Sequence, residues 1–228
     1  MTESRTLIPH SKPLLGAEEA QAAAAVIESG RLAEGPETVA YEREIAERLG
    51  CDMAVAVSSG TAALQLALAA LRVEAGDEVI VPSFVCSALF HAVAANGAVP
   101  VPADIDPATL NLDPADARRR LTPRTAALVL PHLFGRAADP APFLELGVPH
   151  VEDCAHALGA RLDGRPAGSF GRVAIASSYA TKLIATGEGG AVATNSAALA
   201  AAVRELKQYD RRPLDRTRDD QRGPGVGD

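Results

Sequence analysis

The apolar positions of this chain change period several times, and each change predicts an element. Residues 17–29 (AEEAQAAAAVIES) are alanine-rich and hold no proline or glycine, so a helix is expected there, closed by Gly30. Beyond Gly35-Pro36, the positions Val39, Ala40, Ile45, Ala46 and Leu49 approximate helical spacing and predict a second helix over 37–49, stopped by Gly50. The pattern then switches to short apolar runs bounded by turn residues. Met53 to Val57 is the first, followed by a Ser-Ser-Gly-Thr turn and a helix from Thr61 to Leu71. Further strands are expected at 78–81 (stopped by Pro82), 98–105, 125–131 and 148–153. Helices are expected between them at 85–97, at 113–121 with Asp113 as N-cap and Pro114 in the first turn, and at 138–147.

After Asp153 the spacing changes again. Residues 158–171 read as a turn-rich hairpin around Asp163-Gly164. RVAIAS (172–177) and GGAVATN (189–195) read as strands flanking a loop that carries Lys182, and a helix follows over 197–206. Short apolar strands alternating with helices imply an α/β fold, a three-layer sandwich whose mostly parallel sheet is covered on both faces. Ligands on such sheets gather beyond the carboxyl ends of the strands. The Ser-Ser-Gly-Thr turn, the VPSF loop, Asp104, the HLFG loop and Glu152-Asp153 all follow apolar strands, so they are expected along one edge.

Composition narrows the classes. With 228 residues, 47% of them hydrophobic and 22% charged, the chain has enough apolar matter for one large domain. A formal charge of −7 with no basic stripe argues against nucleic acid as a partner. Arg118–Arg120 read as a solvated helix end, and 209–228, where arginines alternate with aspartates, as a flexible tail. No run reaches the roughly 18–20 apolar residues of a membrane span, and the first residues lack the apolar core of a secretion signal. Three cysteines, Cys51, Cys86 and Cys154, without paired spacing, read as reduced thiols in a cytoplasm rather than a disulfide frame or zinc site.

The chemistry concentrates in 153–190. Asp153 ends an apolar strand, Ser177 and Lys182 lie five apart, and Gly187, Gly189 and Gly190 close the run. Lysine amines form imines with carbonyl cofactors, pyridoxal phosphate above all. Such a cofactor needs a lysine for its aldehyde, an acid for its ring nitrogen and donors for its phosphate. The turn at Ser59, Gly60 and Thr61 offers the last, because first-turn N–H groups are unsatisfied and favour an anion; the alternative is an ordinary N-cap turn. No G-x-G-x-x-G follows the first strand, which sets aside a dinucleotide-binding fold.

SGRLAEGPE, SSGTAALQLAL, GDEVIVPSF, DIDPATLNLDP, HLFG, EDCAHALGA, GSFG and SSYATKLIATGEGGAVATN occur in that order from about Ile8 to Asn195. As an ordered set they resemble the DegT/StrS-type aminotransferases, which act on nucleotide-linked keto-sugars with pyridoxal 5'-phosphate. The resemblance implies the large domain of a fold-type-I aminotransferase. It implies that Lys182 carries the cofactor, Asp153 pairs with its ring nitrogen, and Gly60, Thr61 and Ser177 reach its phosphate. His156 stands where many relatives carry glutamine beside the cofactor; the alternative is a packed core histidine. The ring-stacking aromatic of relatives falls at Cys86, so either Phe84 stacks or the thiol is a small apolar filler. The segment around Gly30 lies near the sugar in relatives. Lys182 favours amino transfer over the dehydration performed by relatives with histidine there.

The resemblance also implies a homodimer, glutamate or glutamine as amino donor, and a C-terminal domain beyond the present chain. The expected division is an N-terminal arm and helix (1–35), a cofactor domain (36–208) and the tail (209–228). The alternatives are a truncated, non-catalytic relative that binds cofactor or a partner subunit, and a cyclitol ketone aminotransferase.

Overall fold

The computed structural model describes residues 8–208; the tail expected at 209–228 lies outside the described residues. In chain order the elements are α1 (Ala17–Ser29), α2 (Pro36–Leu49), β1 (Met53–Val57), α3 (Gly60–Ala70), β2 (Glu78–Pro82), α4 (Ala88–Ala95), β3 (Val99–Ala103), α5 (Pro114–Arg120) and β4 (Thr125–Pro131). A 3₁₀ turn (Leu133–Gly135), α6 (Ala141–Leu144), β5 (His150–Asp153), the paired strands β6 (Arg161–Leu162) and β7 (Arg165–Pro166), β8 (Val173–Ser177), β9 (Gly190–Thr194) and α7 (Ala197–Leu206) follow.

Seven strands form one sheet in the order β1-β9-β8-β5-β4-β2-β3. The pairs β2–β3, β2–β4, β4–β5 and β5–β8 are parallel, whereas β9 runs antiparallel to both β1 and β8. The mostly parallel sheet expected from the sequence is therefore present, with one reversed strand. That reversal has a local cause. The loop carrying Lys182 returns directly from β8 into β9 without a crossover helix, and a direct return makes antiparallel neighbours.

Strand alternation separates the two faces. Val173 and Ile175 of β8 pack with Val55, Val151 and Val192 under α3, α4 and α7, which supply Leu64, Leu68, Leu89, Val93, Leu199 and Val203. Ala174 and Ala176 point the other way, with Ala54, Ala191 and Ala193, against Ile45, Ala46 and Leu49 of α2. The alanines on that face let α2 approach closely. Under α5 and α6 the same face is filled by Ile80, Leu128, Leu130, Ala117 and Phe143. The result is the three-layer α/β sandwich expected from the element order.

Boundaries shift in several places, most of all in the helix expected over 138–147, which is the single turn Ala141–Leu144. Pro82 does not stop β2; it is the last strand residue, opposite Ala103, where its missing N–H costs least. The helix expected over 85–97 starts only at Ala88, leaving Val85–Ser87 as loop. The Asp163-Gly164 hairpin forms as expected, with both residues left-handed (φ 50° and 79°). Helix α1 ends at the left-handed Gly30 (φ 68°) and contributes no buried residue.

Candidate functional site

The carboxyl ends of β1, β2, β4, β5 and β8 surround a cavity of about 380 Å³, within the range of small-molecule pockets. Ser59, Gly60 and Thr61 enter it from the β1–α3 turn, Val85 and Cys86 from the loop after β2, and His132 and Leu133 from the loop after β4. Asp153 and His156 enter after β5, Ser177 at the end of β8, and Tyr179, Lys182 and Glu188 from the β8–β9 loop. The convergence expected along one edge is thus present for most of these segments.

The turn at 59–61 is built by close packing. Ser59 caps α3 by accepting the Ala62 N–H (3.1 Å), and the Gly60 and Thr61 N–H groups remain without intrahelical acceptors. A Cβ added at Gly60 would lie 2.7 Å from Ser177 Cβ, so glycine is what lets the turn and the end of β8 touch. Gly190 does the same from below: its Cβ would lie 2.7 Å from the Ser59 carbonyl carbon and 2.8 Å from the Gly60 nitrogen. Residues more than a hundred apart in sequence thereby present N–H groups and hydroxyls to one spot.

Lys182 is half-buried in a tight turn whose N–H bonds the Tyr179 carbonyl (2.8 Å). The loop stem is tied by Ser178 N–H to the Gly189 carbonyl (2.9 Å), Thr186 N–H to the Ser178 carbonyl (2.8 Å) and the Ser178–Thr186 hydroxyl pair (2.7 Å). Asp153 is buried, and the one hydrogen bond its carboxylate makes among the described residues is from the Ala155 N–H to Oδ1 (2.9 Å). Burial pushes its carboxyl above the usual range, while the Ala155 N–H, His156 and Lys182 pull the other way. A buried acid with so little compensation calls for a cationic or N–H partner. The set fits a group with a phosphate, a protonated ring nitrogen and an aldehyde, placed against the 59–61 turn, Asp153 and Lys182 respectively.

Several expected members stand elsewhere. Phe84 does not line the cavity. Ser83 N–H still bonds the Ala103 carbonyl (2.7 Å) in continuation of β2, and Phe84 turns outward, half-exposed, with its ring 6.5 Å from that of Phe134. Cys86 does line the cavity, at its exposed side. Gly30 terminates α1 and borders no part of the cavity. Asp104 faces α5, where its N–H bonds Asp116 Oδ2 (2.7 Å). His156 is not a core histidine; it is exposed at the rim and stacked on Phe134, with ring centroids 6.0 Å apart. Its partial burial and Lys182 hold the imidazole below the usual range, against the pull of Asp153.

Glu152 and Asp153 also separate, because consecutive strand residues face opposite ways. Glu152 is fully buried and accepts from His132 Nε2 (2.9 Å) and from the N–H groups of Gly168 (2.8 Å), Phe170 (2.7 Å) and Gly171. Burial opposes its charge, but His132 and the Gly171 and Gly168 N–H groups outweigh it and hold its carboxyl below the usual range. His132 Nδ1 accepts the Ala138 N–H (3.0 Å), so the proton of a neutral ring sits on Nε2 and points at Glu152. His132 and Glu152 were invisible as a pair in the sequence. The only available signal was a histidine after one strand and an acid inside the next.

A second, more open cleft of about 460 Å³ lies between the start of α2 and α7. Glu42 is paired with Arg204 and Glu34 with Lys207, and the cleft gathers no comparable set of reactive groups. No helix among the described residues is long and apolar enough to cross a membrane, and no cluster of metal-ligating side chains occurs among them.

The chain is similar to dTDP-3-amino-3,4,6-trideoxy-alpha-D-glucose transaminase of Streptomyces venezuelae, 44% identical over 87% of this chain and 54% of that protein. It is similar to L-glutamine:2-deoxy-scyllo-inosose aminotransferase of Micromonospora echinospora, 46% identical over 67% of this chain and 37% of that protein. Among solved structures it superposes on S. venezuelae DesV in complex with a ketimine intermediate, with a TM-score of 0.82 and 44% identity over 87% of this chain and 55% of that one. The chain thus spans about half the length of the curated relatives it matches. The DegT/DnrJ/EryC1/StrS aminotransferase family model matches residues 13–226, more than nine-tenths of the sequence, and the chain belongs to that family.

Proposed function

We propose that this chain supplies the cofactor-binding part of a pyridoxal 5'-phosphate-dependent aminotransferase that acts on a nucleotide-linked keto-sugar, with glutamate or glutamine as amino donor. One observation carries the reading: Lys182, the buried Asp153 and the Gly60–Ser177 contact all border the same cavity. The bound cofactor supplies an electron sink for the carbon that gains or loses the amino group. Lys182 Nζ holds the cofactor and, once free, moves a proton between the two reacting carbons. Asp153 keeps the ring nitrogen protonated, and the favourable charge pairing offsets the cost of burying the acid. The first-turn N–H groups of α3, with the Thr61 and Ser177 hydroxyls, take the phosphate. His156 offers an N–H from the rim.

Phe84, Phe134, Tyr179, Leu183 and Ile184 are apolar and exposed around the cavity mouth and its loop, and a second copy of the chain in a homodimer accounts for them. Three free thiols suit a reducing cytoplasm. The similarity to an inosose aminotransferase favours a second reading, in which the acceptor is a cyclitol ketone.

Adding pyridoxal 5'-phosphate to the purified chain and recording the visible spectrum tests the cofactor reading. A lysine-linked band is expected in the wild type and absent in Lys182→Ala. No band in the wild type leaves a non-catalytic relative as the better account. Loss of the band on adding glutamate or glutamine then reports the first half-transfer, and supplying a nucleotide keto-sugar or a cyclitol ketone separates the two acceptors.

A further inference from the structure

The DIDPATLNLDP segment stands out in the sequence, yet none of its side chains enters the cavity. Asn111 is its buried polar member, 3% exposed. Its side chain reaches across to the 3₁₀ turn that follows β4. Oδ1 accepts the Leu133 N–H (3.0 Å) and Nδ2 donates to the Arg136 carbonyl (3.2 Å), so one amide brackets the turn at both ends. Arg136 adds a third tie, Nη1 to the Ala108 carbonyl (2.9 Å), and the Asp106 N–H bonds the Asn111 carbonyl (2.9 Å).

Inside that bracket Phe134 is held at φ 54°, a left-handed conformation that a bulky side chain rarely adopts. Burial does not explain it, because Phe134 is 68% exposed. What the conformation achieves is contact: the ring stacks on His156 at 6.0 Å and 27° and meets Phe84 at 6.5 Å. His156 in turn lines the cavity.

We propose that Asn111 is a positioning residue for the candidate site: its amide fixes the 133–136 turn in the backbone form that stacks Phe134 on His156, and so sets how the imidazole faces the cavity. The consequence for a bound cofactor rests on the reading given above; the stack itself does not. The charged groups that bear on His156 are Lys182 and Asp153. Neither hydrogen-bonds Asn111 or belongs to the 133–136 turn, so a change at His156 reports the stack.

The test is NMR of histidine-labelled protein without ligand, with the His156 resonance identified by His156→Gln. Asn111→Ala and Phe134→Leu should each remove the upfield ring-current shift of His156 and raise its titration midpoint towards the ordinary histidine value. Phe134→Tyr should preserve both, and Asn111→Ala combined with Phe134→Leu should change no more than Phe134→Leu alone. Should Asn111→Ala fail to fold, Asn111→Asp keeps the acceptor for Leu133 and loses the donor to Arg136, and should give a smaller change in the same direction. A folded Asn111 variant with the wild-type His156 shift and titration overturns the proposal. Titration with pyridoxal 5'-phosphate should then show dissociation constants several-fold weaker in Asn111→Ala and Phe134→Leu. Unchanged constants refute the consequence for the cofactor, whereas a wild type that takes up none refutes the cofactor reading and leaves the coupling to the NMR result.

Discussion

Replacing Glu152 by glutamine is a sharp perturbation, because it keeps the shape of the side chain and changes only what its ends accept. The carboxylate takes two donors on each oxygen: Phe170 and Gly171 N–H on Oε1, His132 Nε2 and Gly168 N–H on Oε2. An amide has one such oxygen. If its NH₂ faces Phe170 and Gly171, two backbone donors lose their acceptor. If it faces the other pair, Gly168 loses its acceptor and His132 must shift its proton to Nδ1, which then opposes the Ala138 N–H. Either way two buried donors are stranded. At about 1–3 kcal/mol each, Glu152→Gln should cost about 2–6 kcal/mol, a large part of the roughly 5–15 kcal/mol that holds a domain. Urea unfolding followed by circular dichroism measures it, with the slope expected to stay constant. The pH dependence has a definite sign. A carboxyl held below its ordinary 4.5 stabilises above that value, and the contribution is lost as pH falls through the lower folded value. The gap between wild type and variant should therefore narrow in acid. A variant within about 0.5 kcal/mol of wild type at neutral pH, the scatter of surface changes, would show that these four bonds do not hold the 168–171 turn.

Three further outcomes are expected. Asp153→Asn should raise the melting temperature of the cofactor-free protein at neutral pH, since burial lifts this carboxyl above its ordinary 3.8 and its stabilising share is lost as pH rises through the folded value. The same variant should retain pyridoxal 5'-phosphate poorly by gel filtration, and a lower melting temperature contradicts the argument. Gly190→Ala should cost about 1–3 kcal/mol by overpacking, because the new Cβ meets only backbone atoms of Ser59, Gly60 and Ala176, and it should weaken binding of inorganic phosphate in a competition titration. His150 is buried with Nε2 unpartnered, and burial holds its imidazole below the ordinary 6.5. The unfolded chain therefore gains a proton first as pH falls below 6.5, and stability should drop there in the wild type but not in His150→Leu; equal slopes would refute this.

The fold was legible because its strands are short apolar runs bounded by Gly, Pro, Ser and Asp, and most ends fall within a residue or two of expectation. The place of the 59–61 turn and of Lys182 on the cavity was legible because each follows a strand of the sheet. Placement of side chains was read less well. Asp104 follows a strand like the others, but β3 is the sheet edge, and α5 rather than the cavity receives it. Phe84 was a candidate for stacking because it is aromatic, yet continued pairing after Pro82 turns it outward. Within DIDPATLNLDP nothing singled out Asn111, because the turn it bonds lies more than twenty residues later. The division of labour between Glu152 and Asp153 follows from strand alternation alone, once the strand is known to be covered on both faces.

The reversed strand also ties the two ends of the described chain to one another through the cavity. Within the sheet β1 has β9 as its one neighbour, and Met53 pairs with Thr194. The first strand of the sheet in chain order therefore takes its backbone partner from the last one described, a contact of very high sequence separation. Val57 at the end of β1 pairs with Gly190, which packs directly against Ser59 and Gly60 of the 59–61 turn. The 59–61 turn and the loop that carries Lys182 are therefore joined through one long-range strand pairing, and a change in β9 should disturb both ends of the cavity at once.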